Sequence, residues 1–150
     1  MIGLLQRVSG AFVEIEGVEI ARIGTGLVVL IAIERDDDEA VASRLLDRLL
    51  NYRVFPDKAG RMNKSILDAG GALLLVPQFT LAADTRKGLR PGFSTAAPAQ
   101  EGRRLFEVLL ELARRRMPGA QAGIFGANMQ VTLTNDGPVT FWIQASPHGA

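Results

Sequence analysis

A chain of 150 residues, 47% hydrophobic and 22% charged, fits one globular domain with a single substantial core and carries no disorder signature. It has no cysteine, which excludes disulfides, thiolate nucleophiles and Cys-ligated zinc; its one histidine, His148, lies in a C-terminal Ser-Pro-His-Gly-Ala segment ill suited to a Ser-His-Asp triad or a His-bound metal. A net charge of +1 predicts neither nucleic-acid nor membrane binding in bulk, so any RNA contact has to come from local patches.

Val13 and Ile15 alternate with Glu14 and Glu16, the period of a half-buried strand. Gly17-Val18 offers a tight reversal into a second strand around Glu19 to Ile23, and Gly24-Thr25-Gly26 is a turn. Leu27 to Ile33 is short and rich in β-branched residues, which predicts a strand buried on both faces. Asp36-Asp37-Asp38-Glu39 puts negative charge where a helix N-terminus favours it, and Val41, Leu45, Leu46, Leu49 and Leu50 form one apolar stripe of the following helix. Pro56, Gly60 and Gly70-Gly71 break up residues 54–71, which read as irregular. Leu73 to Val76 is a short central strand running directly into Pro77-Gln78-Phe79-Thr80.

Residues 82–97 form a long polar connection, of a length uncommon without a working role. Pro98 suits a first helical turn; Leu105, Phe106, Leu109, Leu110 and Ala113 supply a second apolar face. Arg114-Arg115-Arg116 suit the end of that helix, and Pro118-Gly119 stop it. Strands are predicted over 121–125, 130–134 and 139–143, the last two joined by Asn135-Asp136-Gly137-Pro138. This order predicts one mixed α/β domain over residues 1–150, two helices covering a sheet, with 146–150 a flexible tail.

No phosphate-binding Gly-x-x-x-x-Gly-Lys-Ser/Thr loop occurs, and Gly24-Thr25-Gly26 lacks the third glycine of a dinucleotide loop. Asp36 to Asp38 read as a solvated helix start rather than a metal cluster, and neither metal nor cofactor is expected. The longest apolar run, Gly26 to Ile33, falls far short of the ~20 residues of a membrane span. The N-terminus has no signal-peptide pattern, so a cytoplasmic location is expected. Two strand ends remain as places for chemistry, Pro77-Gln78-Phe79-Thr80 and Asn135-Asp136-Gly137-Pro138-Val139-Thr140. Taken singly, the first reads as a strand exit and the second as a hairpin loop.

Jointly they are more specific. Arg7-Val8-Ser9, Arg61-Met62-Asn63, Gln78-Phe79-Thr80-Leu81, Ala83-Asp84-Thr85-Arg86-Lys87-Gly88, Arg90-Pro91 with Phe93-Ser94, Gly123 to Met129, and Asn135 to Thr140 follow one another in order over residues 1–145. In that series the chain resembles the D-aminoacyl-tRNA deacylase family. The resemblance implies an α/β domain with β-barrel-like sheets, forming a homodimer in which the Gly137-Pro138 element, its peptide bond cis, enters the partner's pocket. It implies hydrolysis of D-aminoacyl-tRNA, with rigid backbone rejecting L residues. Glycine has no side chain to reject, so glycyl-tRNA is an expected second substrate.

The same resemblance assigns roles. Gln78, Phe79 and Thr80 stand at the reacting ester. Thr80 is either a nucleophile or a positioning group; without a neighbouring histidine the latter is favoured, with the ribose 2′-OH assisting and the Phe79 and Thr80 N–H groups stabilising the oxyanion. Phe125, Gly126, Ala127 and Met129 border the terminal adenosine. Arg7 braces the Gly-Pro element, and Arg86, Lys87 and Arg90 are candidate phosphate contacts.

One position departs from the pattern. Many family members have Ser where this chain has Pro77, so a side-chain role for that Ser is unavailable. A sister group that removes L-alanine from mischarged tRNA has Pro there, but with Ala in place of Phe; Phe79 favours D-amino acids here. L-alanyl editing, or a non-catalytic RNA-binding module on the same fold, are the alternative readings.

Overall fold

The computed structural model describes residues 1–149. Its central strand is β1 (Ile2–Ile15), long enough to carry two neighbours on one edge. β2 (Val18–Ile23) pairs antiparallel with its second half, Ala11 opposite Ile23. β3 (Gly26–Ala32) pairs antiparallel with its first half, Ile2 opposite Ala32 and Val8 opposite Gly26. Glu16 and Gly17 both take positive φ (49° and 78°), the backbone that matches a two-residue hairpin to the twist of its strands.

Beyond β3 the sheet turns parallel. The order is β2-β1-β3, then β6 (Ala72–Pro77) and the two-residue β7 (Gln121–Ala122). β8 (Gln130–Gln144) runs antiparallel along the other edge of β1. β2 lies against β6 and β7, so the sheet curls into the expected barrel-like form. The parallel pair of β3 and β6 is close enough that a Cβ on Gly26 would stand 1.8 Å from the Ala72 carbonyl oxygen.

The alternation of strand side chains splits the core in two. Leu27, Val29 and Ile31 of β3 and Leu73 and Leu75 of β6 face the helices; Val28, Leu74 and Val76 face the barrel interior with Val8, Val13 and Ile23. Both faces being apolar is what the run Leu27–Ile33 predicts. α1 (Glu39–Asn51) and α3 (Ala99–Arg116) pack on each other and bury the predicted stripes against the first face. Asp38 is the N-cap of α1, accepting from Val41 N at 2.8 Å.

Asp37 does something the sequence reading did not foresee. It is buried and accepts from the Met1 ammonium at 2.7 Å and from Glu34 N at 2.7 Å. Burial pushes its carboxyl above the usual aspartate range, while the ammonium opposes that shift.

Residues 54–71 are more ordered than their breakers suggest. β4 (Phe55–Pro56) and β5 (Met62–Lys64) form a small hairpin, and a third helix of one turn, α2 (Ile66–Ala69), follows. Side chains bonding to nearby backbone fix both. Asp57 accepts from Ala59 N (2.8 Å), Arg61 N (3.0 Å) and Asn63 Nδ2 (2.8 Å); Ser65 and Asp68 form a capping box. At the other end Arg44 donates to Ser146 O (2.6 Å). Ala150, the last residue of the expected tail, lies outside the described residues.

Candidate functional site

The segment 135–140 is a bulge within one strand, not a hairpin between two. Gln6 stands opposite Thr140 and Val8 opposite Asn135, so Asp136, Gly137, Pro138 and Val139 together face the single residue Arg7. Both flanks pair with β1 in the same direction, and the surplus residues loop outward. The Gly137–Pro138 peptide is cis.

Two side chains hold the bulge. Arg7, largely buried, donates from Nε to Asp136 O (3.0 Å) and from Nη1 to Val54 O (2.6 Å). Its fork thus ties the bulge to the base of the β4–β5 hairpin. Asn135 accepts from Val139 N at 2.6 Å and donates to Thr140 Oγ1 at 2.8 Å, closing the loop from within. Its bracing role went unassigned from sequence, although Asn is the residue whose side chain habitually bonds backbone a few residues on. Gly137 has φ 146°, and a Cβ there would meet Val139 Cγ2 at 2.6 Å and Val139 N at 2.9 Å. Only glycine fits.

Gln78, Phe79 and Thr80 leave the end of β6. Gln78 N donates to Ile31 O (2.7 Å), keeping the chain on β3 for one residue more, and Phe79–Ala82 then wind into a single 3-10 turn. Its first bond runs from Leu81 N to Gln78 O, which leaves the Phe79 and Thr80 N–H groups at the open start of the turn without a partner inside it. Gln78 Nε2 donates to Thr80 Oγ1, orienting that hydroxyl. The Phe79 ring is 56% exposed and packs 5.1 Å from that of Phe93, across the 82–97 connection. A cleft of about 520 Å³ beside the turn is lined by Leu81, Ala83, Asp84, Thr95 and Trp142.

Pro77 leaves the β3 side of the sheet intact and ends the ladder on the β7 side. Gln78 N faces β3, so the position of the missing Pro77 N–H faces the other way, where Leu75 O already accepts from Gly123 N (2.9 Å). β7 has ended at Ala122, and a Cβ on Gly123 would lie 3.3 Å from Pro77 Cδ. The ring fills the space where the ladder stops. For the same reason the predicted strand 121–125 shrinks to Gln121–Ala122: after Gly123 the chain turns through Gly126 (φ 81°), with Ala127 N donating to Ile124 O (3.2 Å).

Met129 lies beside the end of β6, where a Cβ on Gly123 would meet both Met129 Sδ (2.7 Å) and Pro77 Cδ (3.3 Å), whereas a Cβ on Gly126 would meet Arg103 of α3 (3.4 Å). Met129 Sδ lies 3.4 Å from Ile124 N. Phe125 points elsewhere: its ring packs over Gly102 of α3, where a Cβ would be 3.1 Å away, and 6.5 Å from the Phe106 ring. Its packing role is therefore fully accounted for. In the 82–97 connection Arg86 is committed to Asp84 by two bonds (2.9 and 2.8 Å), which hold the Asp84 carboxyl well below the usual range. Lys87 and Arg90 are exposed.

Within one chain the two motifs stand apart. Pro77 is level with Ile31 and hence with Gly3, whereas the bulge is level with Arg7, and β8 and β6 are separated by β1 and β3. At ordinary strand rise and spacing this is roughly 20 Å along the sheet.

A family profile described as D-Tyr-tRNA(Tyr) deacylase matches residues 4–144. A D-aminoacyl-tRNA deacylase of Alkalilimnicola ehrlichii is 61% identical over 150 residues, covering 100% of both chains. That of Nitrosococcus oceani is 59% identical, covering 98% of this chain and 95% of its own. Among solved structures, a c-Myc DNA unwinding element binding protein superposes with a TM-score of 0.93 at 36% identity, covering 97% of this chain and 99% of its own. A probable eukaryotic D-amino acid tRNA deacylase shares the fold, with a TM-score of 0.82 at 17% identity over 95% of this chain and 98% of its own. With nearly its whole length matched by the profile and by relatives of such identity, the chain belongs to the D-Tyr-tRNA(Tyr) deacylase family.

Proposed function

We propose that the protein hydrolyses the ester of D-aminoacyl-tRNA, releasing the D-amino acid and free tRNA, and that glycyl-tRNA is a second substrate. Water adds to the ester carbonyl, the bond from that carbon to the ribose oxygen breaks, and a proton passes to the departing oxygen. The Phe79 and Thr80 N–H groups, open at the start of their turn, suit the developing oxyanion. Gln78 orients the Thr80 hydroxyl as a positioning group, and the neighbouring ribose hydroxyl assists the proton transfer. Gly126, Ala127 and Met129 border the terminal adenosine.

The observation that carries the reading is the bulge 136–139. It is braced by Arg7 and Asn135 and closed to any side chain at Gly137. Rigid backbone of this kind discriminates by exclusion, rejecting an L side chain while indifferent to glycine.

The separation of the two motifs within one chain favours a homodimer in which each Gly137–Pro138 element completes the partner's site. β8 supports this, because among the described residues it pairs only with β1 and leaves a 15-residue edge open beside the exposed Trp142. The second reading, editing of L-alanyl-tRNA, rests on Pro77. The exposed Phe79 ring argues for D substrates instead.

The test is deacylation of D-Tyr-tRNA, Gly-tRNA and L-Ala-tRNA by the purified protein. Turnover of the first two is expected. Preference for L-Ala-tRNA would promote the second reading, and no turnover of any would leave a non-catalytic RNA-binding module.

A further inference from the structure

The 17 Lys and Arg residues divide sharply by whether their side chains are occupied. Ten hold a carboxylate or a carbonyl: Arg22, Arg86, Arg104, Arg115 and Arg116 pair with acids, and Arg7, Arg35, Arg44, Arg48 and Arg114 donate to backbone. Among the described residues, the unoccupied ones are Arg103, which lies over the Phe125 ring, Lys87 and Arg90 of the 82–97 connection, and a group of four. That group is Arg53, Lys58, Arg61 and Lys64, all exposed and all on or at the base of the β4–β5 hairpin.

The acids near these cations form no ion pair with them and, two carboxylates against four cations, offset only part of their charge. Asp57 is engaged by Asn63 and by the backbone N–H groups of Ala59 and Arg61, and Asp68 by Ser65 in the capping box. Those bonds hold both carboxyls below the usual range; Asp68 has Arg53 and Lys64 nearby and Asp57 has Lys64, with no ion pair formed. The same bonds fix the turn, so the hairpin presents its cations from a preformed frame. Its position is fixed as well. Val54 O, one residue after Arg53, accepts from the guanidinium that also holds Asp136 O. The base of the hairpin that carries these cations is therefore tied to the Gly137–Pro138 bulge.

We propose that this hairpin, with Arg53, Lys58, Arg61 and Lys64, is a docking surface for the ribose-phosphate backbone of the tRNA whose acylated end lies against Gly137–Pro138. The placement rests on the function proposed above; the charge argument does not. Unpaired cations on a rigid turn suit phosphate contacts, which supply affinity without reading sequence.

The experiment measures binding of a 5′-labelled, uncharged tRNA to the full-length protein over a series of salt concentrations. For K58Q/R61Q/K64Q the expected result is a Kd raised about tenfold or more near 0.1 M salt. The slope of log K against log salt should fall by roughly 0.7–0.9 for each cation that meets a phosphate. The charge-conserving K58R/R61K/K64R should keep wild-type affinity and slope. Wild-type affinity and slope in the neutralised variant would overturn the proposal, as would loss confined to K87Q/R90Q or equal loss in the charge-conserving variant. Deacylation by the wild-type protein separates the two readings. Turnover of D-Tyr-tRNA with the hairpin variant binding normally refutes the hairpin alone. Hairpin-dependent tRNA binding without any turnover refutes the hydrolase alone.

Discussion

Replacing Gly137 with alanine adds one methyl group at the point where the proposed exclusion of L residues depends on backbone alone. The φ of 146° belongs to a region essentially reserved for glycine, and holding alanine there costs about 1–3 kcal/mol. The methyl carbon would also stand 2.9 Å from Val139 N and 2.6 Å from Val139 Cγ2. Val139 N cannot retreat freely, because it donates to Asn135 Oδ1 at 2.6 Å, a bond worth about 0.5–1.5 kcal/mol net. Strain and the weakened brace together amount to about 2–4 kcal/mol, or a fall of roughly 5–15 °C in Tm at this chain length. Measured at 20 °C, where the variant is still folded, kcat/KM for D-Tyr-tRNA should drop on the order of 100-fold, the effect of displacing a positioning element by about an ångström. A variant with both wild-type Tm and wild-type kcat/KM would refute the reasoning: it would mean that the bulge relaxes freely and that its shape does not matter to turnover.

Thr80→Ala should lower kcat/KM for D-Tyr-tRNA by about 10- to 100-fold without abolishing it, since a hydroxyl that positions is less critical than one that attacks; complete loss with tRNA binding intact would make Thr80 the nucleophile. Gly26→Ala places a Cβ 1.8 Å from Ala72 O in the parallel β3–β6 pair, so a destabilisation of about 3 kcal/mol or more is expected by denaturant titration. A wild-type unfolding midpoint would contradict that contact. The Asp84 carboxyl, depressed chiefly by its bond from Arg86, should titrate in NMR with a midpoint below the ordinary 3.8. Because the folded value is depressed, the contribution is present above the unfolded pKa and lost as pH falls through the folded one. A midpoint at or above 3.8 would show that the pair does not persist in solution.

Local periodicity made much of this fold legible. β3 announces burial on both faces by its unbroken apolar run, and α1 and α3 announce theirs by stripes such as Val41-Leu45-Leu49, because burial leaves a period in the sequence. The bulge is different. Asn-Asp-Gly-Pro is the same turn chemistry whether the chain reverses or merely loops outward, and what decides is that residues 130–134 and 140–144 both find β1, more than a hundred residues earlier. No local pattern encodes that partner. The β4–β5 hairpin was hidden for the opposite reason: Asp57 and the Ser65–Asp68 box are local, but they order a segment whose glycines and prolines read as breakers. Met1 with Asp37 is again a distant pairing, in which only the chemistry of the groups, not their spacing, connects them.

Pro77 shows how the structure changes the weight of a sequence departure. Read in the chain alone, a proline where relatives carry serine removes a donor and a hydroxyl beside the reacting ester, and so casts doubt on the substrate. In the sheet, the lost N–H faces Gly123 at a point where β7 has already ended, and Gln78 N still reaches Ile31 O. The ladder keeps its bond on the β3 side and stops at Gly123 on the β7 side. The direction in which Gln78 leaves the sheet is set by β3, and the 3-10 turn bearing Phe79 and Thr80 follows from it. Toward the turn bearing Phe79 and Thr80, the difference from serine is the missing side-chain hydroxyl. A reaction led by backbone N–H groups and by the substrate's own ribose does not call on that hydroxyl. On the function proposed above, D and L substrates are distinguished by the shape of the bulge and the bulk at position 79, where this chain keeps phenylalanine.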